Sequence, residues 1–92
     1  MKYVLVKKAK DNVGNALEHI MPGDDFRWEA DGREHSHKAL TEVRFAFKIA
    51  LRDIGEGETV LCYGEPIGVA TAPIRAGECV HIHNIQGRRA NN

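Results

Sequence analysis

One phrase occurs three times in this chain: Ala16-Leu-Glu-His-Ile-Met-Pro-Gly-Asp-Asp-Phe26, Ala50-Leu-Arg-Asp-Ile-Gly-Glu-Gly-Glu-Thr-Val60 and Ala70-Thr-Ala-Pro-Ile-Arg-Ala-Gly-Glu-Cys-Val80. Each copy reads alanine, isoleucine four residues on, then glycine, an acid and an apolar closing residue. The pattern describes a turn between short extended pieces, with Ile20, Ile54 and Ile74 as core plugs. Gly23, Gly57 and Gly77 supply the positive φ that a tight turn requires. The copies begin 34 and then 20 residues apart, which excludes a solenoid, whose repeats stack at one period. Irregular reuse of a clip-like turn fits a small, convoluted, mainly β fold.

The intervening segments agree with that fold class. Phe26, Trp28 and Ala30 alternate towards one face ahead of Asp31-Gly32, a common two-residue hairpin turn, so a β-hairpin is expected there. Val4 and Val6 mark an opening strand, Thr59 to Tyr63 another, and Cys79-Val80-His81-Ile82-His83 a third with strict alternation. His37-Lys38-Ala-Leu-Thr-Glu-Val43 is followed by no glycine-acid turn at the corresponding interval and is read as hairpin sequence. Short helical turns are expected only at Val13 to Ile20, where Gly14 is unfavourable, and at Lys48 to Ile54. The domain is expected to span 1–85, with 86–92 as a flexible C-terminal tail.

At 92 residues the chain forms one domain with a thin core, because chains of this size bury only about 60–65% of their unfolded surface. A partner subunit or homo-oligomerisation would add to that core. Lysine plus arginine and aspartate plus glutamate both total 13. The zero net charge argues against nucleic acid and against membrane surfaces as partners. MKYVLVKKAKDNV places its apolar run before its lysines, the reverse of a secretory signal, and no run of about 18 apolar residues occurs. A soluble, cytoplasmic protein is expected. Cys62 and Cys79 lie in apolar contexts without CxxC spacing and read as buried free thiols.

A second signature is Lys48-Ile-Ala-Leu-Arg-Asp-Ile54, Gly57-Glu58, Tyr63-Gly-Glu-Pro-Ile-Gly68, Ile74, Ala76-Gly-Glu78 and Val80-His-Ile-His-Asn84. Together with Asp11-Asn-Val-Gly-Asn-Ala-Leu17 it resembles the SAF domain of altronate and galactarate dehydratases over nearly the whole chain. The resemblance implies a β-clip fold and the role of a small subunit, similar to that of altronate dehydratase or sulfolactate sulfo-lyase. It further implies a separate large catalytic lyase subunit, a sugar-acid substrate, and Fe(2+) or another divalent metal held mainly by that subunit. One departure is clear: the family usually has Gly-His-Lys before the Ile-Ala-Leu phrase, where this chain has Ala46-Phe47-Lys48.

His81 and His83, two apart on an expected strand, would project from one face about 6–7 Å from each other. They are the candidate catalytic, proton-handling pair, although two imidazoles alone make an incomplete metal shell. The plainer account is a pair of hydrogen-bonded structural histidines. Lys48 is the candidate contact for a substrate carboxylate, against the ordinary expectation of a solvated lysine, and Asn84 joins it through the Val-His-x-His-Asn segment. Which residues here would touch a metal is unknown from the sequence. Tyr63-Gly64 reads as a turn with a packed tyrosine, and His35 and His37 as a hydrated strand face. No Ser/His/Asp set, Gly-rich phosphate loop or paired carboxylates can be placed. The competing class is a non-catalytic SAF module that binds a carbohydrate or a protein.

Overall fold

In the computed structural model, which describes residues 1–87, the described residues build two sheets and no helix. The strands are β1 (Lys2–Leu5), β2 (Val13–Ala16), β3 (Asp25–Ala30), β4 (Arg33–Lys38), β5 (Lys48–Ala50), β6 (Thr59–Cys62), β7 (Glu65–Ala70), β8 (Cys79–Val80) and β9 (Ile85–Gln86). One sheet has the order β4-β3-β1-β2-β5-β8 and the other β6-β7-β9.

The repeated phrase organises both. Ile20, Ile54 and Ile74 are all buried, and Gly23, Gly57 and Gly77 have φ of 90°, 85° and 92°. The acid that follows each glycine caps its own turn. Asp24 Oδ2 accepts from the Met21 amide at 2.8 Å, Glu58 Oε1 from Gly55 at 2.9 Å and Glu78 Oε1 from Arg75 at 2.6 Å.

The segment read as hairpin sequence proves to be a fourth copy. Ala39 and Val43 are buried, and Ala46 stands where the others have glycine, with φ of 73°. The expectation failed there because alanine conceals a left-handed position and Phe47 replaces the capping acid. The four turns combine in two reciprocal pairs. Ile20 bridges Val43 and Ile54 bridges Ile74. In the first pair the Gly23 amide donates to Ala39 O and the Ala46 amide to Ala16 O; in the second, Gly57 donates to Ala70 O and Gly77 to Ala50 O.

Each pair closes one core. The first contains Val4, Ala16, Ile20, Phe26, Ala39, Val43, Ile49 and Leu51; the second contains Val13, Ala50, Ile54, Val60, Cys62, Ala70, Ile74 and Val80. Strand β5 divides them, since Ile49 and Ala50 point to opposite faces.

The hairpin of β3 and β4 forms in the expected register, from Ala30 opposite Arg33 to Asp25 opposite Lys38. Its turn has φ of 56° at Asp31 and 72° at Gly32, matching the right-handed twist of the strands. His35 stacks on Trp28 with ring centroids 5.4 Å apart, so this exposed face also covers the aromatic row beneath it.

Both helical expectations are corrected. Val13–Ala16 is β2, paired with β1 and β5, and Lys48–Ala50 is β5, paired with β8. Gly14, which made helix unfavourable, lets Val4 and Val6 of the opening segment press against its Cα. At the other end Gln86 pairs with Val69 in β9, so the second sheet extends into the expected tail; residues 88–92 of that tail lie outside the described residues.

Candidate functional site

Asp11 and Asn12 fix the loop that enters β2. The buried Asp11 carboxylate accepts from the amides of Tyr63 at 2.9 Å and Gly64 at 2.7 Å, and from Lys8 at 3.2 Å. Asn12 accepts from the Leu61 amide and donates to Thr59 O. These two side chains therefore spend their polar atoms joining the first fifteen residues to the hairpin of β6 and β7. Because an ionised carboxylate receiving several amides makes stronger bonds than neutral pairs do, Asp11 is a structural staple of the region.

Strand β5 lies between β2 and β8, with Lys48 opposite both Asn15 and Val80. On its first-core face Phe47 packs with Ile49, and its ring stacks on His81 with centroids 4.6 Å apart. On the other face the half-buried Lys48 lies towards Asn15 and Cys62. Asn15 Nδ2 donates to the Tyr63 hydroxyl at 2.5 Å and to Cys62 Sγ at 3.7 Å.

Burial pushes the Cys62 thiol above its ordinary pKa, and the Lys48 charge and the Asn15 amide oppose that shift. Burial raises Cys79 as well. Both thiols are free and biased to the protonated form, as expected of packed rather than nucleophilic cysteines.

The predicted strand face of His81 and His83 does not form. Strand β8 stops at Val80, and 81–84 is a turn closed by Asn84. The Asn84 Oδ1 accepts from the His81 amide at 2.9 Å, and its Nδ2 donates to Cys79 O at 2.9 Å. The physical reason is local: an asparagine that satisfies backbone groups on both sides competes with continued strand pairing. Asn84 is accordingly buried, with its amide committed to the backbone, while His81 and His83 are exposed. Ile82 between them is 82% exposed.

Of the residues expected to act together, His81, His83 and Asn84 share the 81–84 turn, and Lys48 adjoins it through the β5–β8 pair with its side chain on the face opposite to that of His81. The pairing of Phe47 with His81 and of Asn15 with Tyr63 was not foreseen. The alternation of Val13/Asn15 and Lys48/Ala50 carried the signal that Asn15 and Lys48 share a side. Among the described residues no three His, Cys, Asp or Glu side chains gather as a metal site, so these donors alone do not fit a divalent metal, which the resemblance assigns mainly to the large subunit. A cleft of about 540 Å³ opens where β1 and β3 part, lined by Tyr3, Leu5, Leu17, Arg27 and Trp28 among others. None of the candidate site residues Lys48, His81, His83 and Asn84 lines it.

The altronate/galactarate dehydratase SAF domain model matches residues 2–88. The chain is 48% identical over 88 residues to the (2R)-sulfolactate sulfo-lyase subunit alpha of Chromohalobacter salexigens, covering 92% of this chain and 94% of that one. It is 37% identical to the altronate dehydratase of Bacillus subtilis and 38% identical to that of Escherichia coli, in each case over 84 residues and 91% of this chain. The aligned part spans only 16% of each of those two dehydratases.

Proposed function

Because the chain belongs to the altronate/galactarate dehydratase SAF-domain family, we propose that it is the small subunit of a cytoplasmic two-subunit lyase and completes the active site of a large catalytic subunit. The observation that carries this reading is its near full-length match to a chain that is itself a lyase subunit alpha. The surface chemistry agrees with it: His81 and His83 are exposed on the turn after β8, and the half-buried Lys48 lies on the other face of the adjoining β5–β8 pair, groups that a partner subunit can complete.

In this reading the reaction is an elimination from an α-hydroxy acid. A base removes the proton from the carbon beside the carboxylate, the electron pair forms a carbon–carbon double bond, and the leaving group departs from the next carbon. That group is water from a sugar acid such as altronate or galactarate, and sulfite from sulfolactate. Lys48 contacts an anionic group as a point charge, and His81 and His83 serve as polar or proton-handling groups at the rim. The principal base belongs to the large subunit.

The test is capture of the tagged chain from its native lysate, identification of a large lyase subunit, and assay of the complex on sulfolactate, altronate and galactarate. Activity that His81→Ala or His83→Ala lowers supports the reading. A chain that captures no lyase subunit and leaves all three acids untouched overturns it in favour of a binding module.

A further inference from the structure

The zero net charge conceals a segregated surface. Lys7, Lys8 and Lys10 are exposed on the loop after β1, and the fold carries that loop across the Tyr63-Gly64 turn, more than fifty residues away in sequence. Lys7 Nζ lies 6.0 Å from the centre of the Tyr63 ring. The stems of Lys8 and Lys10 lie against Gly64, where an added Cβ would be 3.0 Å from Lys8 Cγ and 3.6 Å from Lys10 Cε. Lys48 approaches the same place from β5, close enough for its charge to act on Cys62, and Arg52 reaches the loop through Asp11 O at 3.4 Å.

Among the described residues none of these five cations is in an ion pair, whereas Lys2, Arg27 and Lys38 each pair with a carboxylate. The acids on the same loop and turn are Asp11, whose oxygens are occupied by three amides, and Glu65. The group is therefore positive in excess. It also carries the Tyr63 hydroxyl, and Lys48 joins it to the β5–β8 pair, whose opposite face holds Phe47 and His81.

We propose that this lysine face draws dianionic acids to the completed site, which makes the substrate class a short hydroxy acid with two negative charges. The inference rests on the lyase-subunit reading and deepens it: sulfolactate and galactarate carry two charges, altronate one. Clustered like charges raise the local concentration and on-rate of an opposite ion by about 10-fold or more, and the effect scales with the charge of the ligand. Added salt screens exposed charges over about 8–10 Å near physiological strength, so the advantage is specifically salt-sensitive.

The experiment has two arms. In the co-purified complex, kcat/KM for sulfolactate, galactarate and altronate is measured across ionic strength with the native chain and with Lys7→Gln/Lys8→Gln/Lys10→Gln. The expected result is a drop of about 10-fold in kcat/KM for the dianions at low salt in the triple variant. The kcat values stay close to native, the salt dependence flattens, and altronate changes less. Equal salt slopes in native and variant complexes overturn the proposal. In the second arm the isolated, isotope-labelled chain is titrated with sodium sulfate against a sodium chloride control of matched ionic strength. Amide shifts at Tyr63, Gly64 and Lys8 that sulfate alone produces, and that the triple variant loses, support it; identical responses to the two salts overturn it. The second arm decides the charge question even if no acid is turned over, which keeps failure of the lyase reading distinguishable.

Discussion

The Phe47 ring lies on the His81 imidazole, with centroids 4.6 Å apart and planes inclined by 29°. The resemblance to the family pattern implies histidine at residue 47, and a side chain at this position is a direct neighbour of His81. Phe47 also packs against the first core. Phe47→His is therefore expected to cost about 1 kcal/mol of packing while adding a second imidazole beside His81. In the reconstituted complex the expected outcome is higher turnover, read as kcat; an unchanged kcat would show that this position does not limit the reaction.

Ala46 adopts φ of 73° at the turn position where the other three copies have glycine. An L-residue in the left-handed region costs about 1–2 kcal/mol, partly offset by the greater unfolded-state freedom of glycine. Ala46→Gly should stabilise the domain by about 0.5–1 kcal/mol and raise Tm by several degrees in calorimetry. Gly57→Ala should do the reverse.

Ile54 and Ile74 bridge each other in the second core, whereas Ile20 belongs to the first. Each truncation to alanine should cost about 2–5 kcal/mol. A double-mutant cycle in urea should show coupling for Ile54→Ala with Ile74→Ala, and near-additivity for Ile20→Ala with Ile54→Ala. Milder Ile→Val versions serve if the doubles do not fold.

Asp11 holds three backbone amides with one carboxylate. Asp11→Ala leaves those amides without their acceptor and should lower stability by about 2–4 kcal/mol. Hydrogen exchange at Tyr63 and Gly64 should quicken well before the protection of Ile20 or Val43 changes.

Burial raises the Cys62 and Cys79 thiols above their ordinary value. The unfolded chain therefore loses these protons first as pH rises, the folded state then binds more protons, and stability must fall with increasing pH. The decline should begin at about pH 8.5, where unfolded thiols ionise. It should shrink in Cys62→Ala/Cys79→Ala, measured by urea midpoints. Native-state alkylation of both thiols should be slow at pH 8 and fast in denaturant.

The sequence by itself determined the turns. Alanine, isoleucine, glycine and acid at fixed offsets encode a buried plug, a positive φ and a cap, all within eleven residues, so the interactions they need are local. The hairpin at Asp31-Gly32 was legible for the same reason. Family membership was legible because its motifs include those turns. Tertiary structure decided what depends on distant partners. Whether Val13–Ala16 and Lys48–Ala50 would be strands rested on β1, β5 and β8 being there to accept their hydrogen bonds. The end of β8 was decided by the Asn84 amide folding back on His81 and Cys79, a choice that alternation of side chains cannot register. The fourth turn stayed hidden until Ile20 supplied its bridge to Val43. The lysine face emerged only when the loop after β1 crossed the Tyr63-Gly64 turn, because net charge counts residues while an electric field depends on where the fold puts them.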